Sequence, residues 1–102
     1  MENIVIKNIE ILNEEERKTA DKLLQEYYGK IRRLIKADLV LEVHIKEYDK
    51  DGKKSKYSLN SKAIFAGKMI SSSSWDWDFA RAIHKAMKKL ETEAEHKFKI
   101  TK

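Results

Sequence analysis

Residues 37–66 alternate apolar and polar side chains on either side of an Asp-Gly turn, and this pattern confines the fold more than any other stretch. Ala37, Leu39, Leu41, Val43 and Ile45 occupy every second position, separated by Asp38, Val40, Glu42, His44 and Lys46. A period of two places one set on a single face, so the segment from Ala37 to Tyr48 reads as a strand with one buried side. Asp49-Lys50-Asp51-Gly52 follows as a hairpin turn, because Asp-Gly accepts the positive φ that tight turns require. The return strand, from Lys54 to Ala66, sets Tyr57, Leu59, Ser61, Ala63 and Phe65 against Lys56, Ser58, Asn60 and Lys62. A half-buried hairpin cannot stand alone in water; something else must cover its apolar face.

The flanking segments supply the cover. Ile4 to Ile11 is rich in β-branched residues and reads as a first strand. Asn13 followed by Glu14, Glu15 and Glu16 marks a helix start, with Glu16 at the capping-box position and three acids at the positive end of the dipole. Ala20, Leu23, Leu24, Tyr27, Ile31, Leu34 and Ile35 then recur at helical spacing, with Tyr28 at the margin of that stripe. Arg32, Arg33 and Lys36 collect at the C-terminal end of this helix. After the hairpin, Gly67 permits another reversal, and Lys68 to Ser71 begins a short fourth strand. Ser71–Ser74 reads as strand end and cap. A last helix runs from about Trp75 to about Phe98, with Phe79, Ile83, Met87, Leu90 and Ala94 on one side.

The order is therefore βαβββα in an α+β domain spanning residues 1–102. Hairpin-linked strands are antiparallel, a helix returns the chain for a parallel first strand, and both helices need one face buried. The economical solution is a four-stranded, mostly antiparallel sheet with both helices packed on one face. The outer helical surfaces then form one continuous face.

Composition narrows the function. The chain has no cysteine, which excludes disulfides, thiolate metal sites and cysteine nucleophiles. No apolar run approaches the ~20 residues of a membrane span, and the acidic N-terminus lacks a signal-peptide layout, so a cytoplasmic protein without membrane contact is expected. The net charge of +5 is uneven: residues 1–26 hold four bases against seven acids, the remainder 18 bases against 10 acids. Such asymmetry supplies a cationic face for nucleic acid or, equally, the solvated lysine-rich surface common in heat-adapted proteins. In the last helix, Arg81, Lys85, Lys88 and Lys89 lie away from the apolar stripe, giving an apolar back and a basic front. That arrangement points to RNA.

Asp78-Phe79-Ala80-Arg81-Ala82-Ile83-His84-Lys85-Ala86-Met87-Lys88-Lys89-Leu90-Glu91 resembles the last helix of the ribosome hibernation-promoting factor and ribosome-associated inhibitor family. The match lies at Asp78, Ala82, Ile83, Lys89 and Leu90; the short first strand, the polar helix cap and Arg17 early in the first helix also fit. The chain departs from the family's pattern at His84, Lys88, Thr92 and Glu93, and the pair Trp75 and Trp77 is no part of it. The resemblance implies a fold related in shape to double-stranded RNA-binding domains, in the short single-domain form. It implies binding to the small ribosomal subunit in the channel used by messenger and transfer RNA, hence inhibition of translation during hibernation, by a monomer without cofactor. Arg17, Lys22, Lys30 and Arg33 from the first helix, with Lys85, Lys88, Lys89, His96 and Lys97 from the second, are the expected RNA contacts. Arg33 has the geometry to clamp a phosphate through two hydrogen bonds, whereas each lysine acts as a point charge.

Other readings compete. Lys50, Lys53, Lys54 and Lys56 crowd the hairpin, where lysines either touch phosphate or guard a sheet edge against aggregation, the second being favoured. Trp75 and Trp77 stack on bases or, more commonly for residues just ahead of a helix, pack back on its first turn. No His-x-x-x-His or Glu-x-x-His spacing supports a metal, and no Gly-x-Ser-x-Gly elbow or Gly-rich phosphate loop supports catalysis. A small hydrolase or nuclease built on Asp76, Asp78 and His84 is the weakest alternative. A general double-stranded RNA binder and a protein-interaction domain with solubilising charge complete the set.

Overall fold

The computed structural model describes residues 3–51 and 54–98. It contains β1 (Asn3–Lys7), a 3-10 turn (Ile9–Ile11), α1 (Glu14–Ile35), β2 (Val40–Asp51), β3 (Lys54–Phe65), β4 (Lys68–Asp76) and α2 (Phe79–Phe98). The strands lie in sequence order across one sheet. β1 runs parallel to β2 with Ile4 opposite Leu41; β2 and β3 are antiparallel with Leu41 opposite Ala63; β3 and β4 are antiparallel with Ala63 opposite Ile70. The expected βαβββα order and mixed sheet are the ones observed. The turn expected at Asp49–Gly52 starts later, because β2 runs on through Asp51, which pairs with Lys54; Gly52 and Lys53 lie outside the described residues.

The first strand is shorter than its β-branched run suggests. Ile4 and Ile6 face inward while Val5 and Lys7 face out. Extending the alternation to Ile11 would turn Asn8 and Glu10 inward and leave Ile9 and Ile11 in water, a register conflict. Asn8 resolves it by entering the left-handed region at φ 68°, which asparagine tolerates better than most residues. Its Nδ2 donates to the Ile45 carbonyl at 3.1 Å. The chain then turns, Ile9 packs against the core and Leu12 is buried.

α1 begins as its acids and asparagine predict. Asn13 Oδ1 accepts from the Glu16 amide at 2.7 Å, and Glu16 Oε1 accepts from the Asn13 amide at 3.0 Å. Tyr57 on β3 donates its hydroxyl to the other Glu16 oxygen at 2.6 Å, tying the cap to the sheet. Burial, and then this bond to Glu16, push the Tyr57 pKa well above its ordinary value. Ala20, Leu24, Tyr27 and Ile31 are buried as expected, and so is Tyr28, whose hydroxyl donates to the Leu39 carbonyl at 3.0 Å. Tyr28, expected in the core at the margin of the stripe, is as fully buried as Tyr27.

The largest correction concerns the serines. β4 does not stop at Ser71 but continues through the serine run to Asp76, and α2 begins at Phe79 and not at Trp75. Serine is a poor guide to strands, yet Ser72 and Ser74 face α2 and find acceptors there. Their hydroxyls donate to the carbonyls of Ala86 and Ala82, each at 2.9 Å. With alanines on the helix and serines on the strand, the two backbones approach closely and both hydroxyls are satisfied. Asp78 caps α2 by accepting from the Arg81 amide at 3.0 Å. The β3–β4 connection uses Ala66 at φ 49° and Gly67 at φ 73°, the two-residue hairpin geometry with both φ positive.

Between sheet and helices lies one core. Leu41, Val43 and Ile45 of β2 with Leu59 and Ala63 of β3 meet Leu24 and Ile31 of α1 and Ile83, Met87 and Leu90 of α2, all nearly inaccessible to solvent. Each large side chain buried there contributes about 1.5–3 kcal/mol.

Candidate nucleic-acid interface

Both helices follow strands of the same direction, so they run the same way over the sheet. β2 and β4 are each antiparallel to β3, and β1 is parallel to β2. The helices touch: the Tyr27 hydroxyl and His84 Nδ1 are 2.8 Å apart, their rings meeting edge-on at 5.6 Å. Across this seam the two outer surfaces join. Burial, followed by the charges of Glu91 and Glu26, raises the Tyr27 pKa and keeps its hydroxyl neutral. Lys30 sits above the same ring with Nζ 5.0 Å from its centroid.

All nine expected contact residues are exposed, but the helical period sorts them into separate groups. Lys22 and Arg33, eleven positions apart, fall within about 20° of each other on the crest of α1. Lys30 stands beside the seam and Lys88 tops α2, so these four share one outward surface. Arg17 lies about 140° around α1 from Lys22, on the flank away from α2. Lys85, Lys89 and His96 form a row on the flank of α2 above β4. Two of them already have work there. Lys89 Nζ donates to the Ser73 carbonyl at 2.8 Å, and Lys85 Nζ donates to the Trp75 carbonyl at 3.3 Å while pairing with Asp76 Oδ2 at 2.8 Å. Lys97 lies in the last turn of α2.

Because the helices are parallel, charge is polarised along them. The N-terminal ends lie together, with Glu15, Glu16, Asp76 and Asp78 lining one shared depression. The C-terminal ends carry Arg32 and Arg33 on α1 and His96 and Lys97 on α2. Arg32 is engaged, its Nε 2.9 Å from Asp38 Oδ1. Lys85, then the Asp78 amide, hold the Asp76 carboxyl below its ordinary pKa. Acidic side chains therefore predominate at one end of the helical layer and basic ones along its crest and opposite end.

What the sequence reading missed is on the sheet. Since β4 runs on to Asp76, Trp75 does not pack back on α2; it stands on the sheet's open face, 50% exposed, and Trp77 is 43% exposed. Lys56 Nζ lies 4.4 Å and Lys85 Nζ 5.7 Å from the Trp75 ring centroid. The signal was available in the alternation, which places Trp75 in step with Met69, Ser71 and Ser73 once the strand is extended. Of the hairpin lysines, Lys53 lies outside the described residues. The hydrolase alternative loses its geometry, because Asp76 bonds to Lys85 and the Asp78 amide while His84 bonds to Tyr27. Among the described residues no group of three or more His, Asp or Glu side chains is placed to hold a metal ion, and no helix is long and apolar enough to cross a membrane.

The sequence matches no family model and no curated protein. Solved structures do match. The N-terminal domain of Protein Y from Thermus thermophilus superposes with a TM-score of 0.66 at 19% identity, covering 94% of this chain and 98% of that one. A ribosomal subunit interface protein from Coxiella burnetii gives 0.52 at 16% identity, covering 96% and 97%. The chain shares the fold of both along nearly its whole length.

Proposed function

We propose that the protein binds the small ribosomal subunit in the messenger and transfer RNA channel and so inhibits translation while ribosomes hibernate. The observation that carries this reading is an exposed cationic crest, Lys22, Lys30, Arg33 and Lys88, on a fold shared with a ribosomal subunit interface protein and with Protein Y. The resemblance of residues 78–91 to the hibernation family points the same way. The action is steric and electrostatic: a rigid sheet fills a groove while lysines and arginine meet the phosphates of folded RNA. No bond is made or broken, and the protein works as a monomer in the cytoplasm without a cofactor.

Sedimentation through a sucrose gradient with separated ribosomal subunits tests the reading. Co-migration with small subunits is expected, weakening steeply with salt and lost in the triple variant K22E/R33E/K88E. These three residues are preferred to Lys85 and Lys89, whose ammonium groups hold backbone carbonyls of β4. Absence of co-migration at low salt overturns the proposal, and equal competition by any RNA duplex reduces the protein to a general duplex binder.

A further inference from the structure

Sharing only Lys88 with the crest, the β4 edge carries a second cationic surface, and this one is built around an aromatic ring. β4 is an edge strand, and the carbonyls of Ser73 and Trp75 point out of it toward Lys89 and Lys85. An ammonium has three donors, so Lys89 retains two for an anion after bonding one carbonyl, and Lys85 retains one after bonding a carbonyl and Asp76. Ser71, Ser73, Lys88 and Lys89 line one groove between strand and helix. Ser73 and Lys89 also line the next groove, together with Ser58, Lys85 and Trp75. The shared residues make a single trough that runs along the strand and ends at an indole 50% open to solvent. The acids beside it are Asp76, paired with Lys85, and Glu93, so cations predominate.

We propose that this trough holds an unpaired RNA segment, with phosphates on Lys85, Lys88 and Lys89 and one base stacked on Trp75. The sign of the charge selects a polyanion. The exposed indole selects a partner with a flat face to offer, which separates a nucleic acid from an acidic peptide. A duplex is excluded because its bases are already stacked on one another and do not reach a ring on a sheet surface. Lys56 Nζ and Lys85 Nζ lie over the ring at 4.4 and 5.7 Å from its centroid. A base stacking on Trp75 therefore displaces an ammonium from the indole face, and that ammonium is then within reach of the base's phosphate. Serine hydroxyls along the trough donate or accept equally well, which suits binding without sequence preference. The inference rests on reading the chain as an RNA binder but does not require the ribosome.

The chain has two tryptophans, so W77F leaves Trp75 as the sole indole reporter. In that background a short single-stranded oligoadenylate quenches Trp75 emission, whereas a blunt RNA duplex and inorganic polyphosphate do not. Anisotropy of labelled oligoadenylate then shows W75A binding about 5- to 150-fold more weakly and W75F retaining most of the affinity, the range expected for one stacked base. K88Q lowers the salt slope by about 0.7 while leaving the quench in place. Trp75 emission unchanged at saturating oligoadenylate, W75A binding as tightly as the unaltered protein, or polyphosphate quenching as strongly as RNA each overturns the stacking site. The two readings fail separately. If small subunits co-sediment but W75A keeps its oligonucleotide affinity, the trough is wrong and the ribosomal reading stands. If oligoadenylate quenches Trp75 and no subunit co-sediments, the trough stands and the ribosomal reading falls.

Discussion

Two serines one strand apart should respond to the same substitution with opposite signs. Ser61 is fully buried in the middle of β3, opposite Val43 and Ser72, and its hydroxyl has no hydrogen-bond partner among the described residues. Ser74 is also buried, but its hydroxyl donates to the Ala82 carbonyl at 2.9 Å. Leaving a buried hydroxyl unpaired costs about 1–3 kcal/mol. Ser61→Ala removes that cost and opens a void of roughly 15 Å³, which at ~24 cal/mol per Å³ returns only about 0.4 kcal/mol. The net expectation is stabilisation by about 1 kcal/mol, a rise in Tm of about 4–8 °C for a domain of this size. Ser74→Ala loses a satisfied bond and should destabilise by about 0.5–1.5 kcal/mol. Urea titration followed by far-UV circular dichroism measures both, provided the m-value is unchanged. Destabilisation of Ser61→Ala by more than about 0.5 kcal/mol would refute the reasoning, since it would mean that the hydroxyl makes a bond of ordinary strength.

Further expectations concern the interior of α1 and the titrating groups. Gly29 lies inside α1, and a Cβ there would meet only Arg33 Nη1, at an ordinary 3.5 Å, so Gly29→Ala should stabilise by about 0.5–1 kcal/mol in the same titration. Because Lys85 and the Asp78 amide hold the Asp76 carboxyl below 3.8, its contribution is present above that value and is lost as pH falls through the lowered one. Acid unfolding should therefore show the unaltered protein more stable than Asp76→Asn at neutral pH, with the difference vanishing in acid; a constant difference refutes the linkage. Tyr27 and Tyr57 have raised pKa values, so the folded protein holds their protons above pH 10, where the unfolded chain releases them. Their stabilisation is complete below 10 and fades as pH rises toward the folded values, and absorbance near 295 nm should show delayed tyrosinate formation that Tyr57→Phe diminishes. Four tyrosines all titrating near the ordinary value would contradict it.

Legibility in the sequence followed the range of the interaction involved. The Asn13–Glu16 box was readable because both partners lie within one helical turn, and its geometry is the one found. The inward set Leu39, Leu41, Val43 and Ile45 was readable because a period of two needs no knowledge of the rest of the chain. The end of β1 was not, because Asn8 turns for the sake of Ile45, 37 residues away. The serine run was misread for the same reason: Ser72 and Ser74 are strand residues only because α2 brings the carbonyls of Ala86 and Ala82 to them. Once that strand is ended at Ser71, five residues too short, Trp75 is assigned to the helix and its exposure is invisible. The candidate contacts were legible as exposed cations, but their division into a crest, an edge row and a lone flank was not.

By itself the sequence determined the element order, the inward faces and the cationic bias, since each depends on neighbours in the chain. Only the tertiary structure decided which cations are engaged by Ser73, Trp75 and Asp76, which share a surface across the Tyr27–His84 seam, and that an indole faces water beside them. Those outcomes depend on groups far apart in the chain that meet only when α1 and α2 close over the sheet. No local pattern encodes such a meeting, because its free energy comes from the packed core that holds all of them in place.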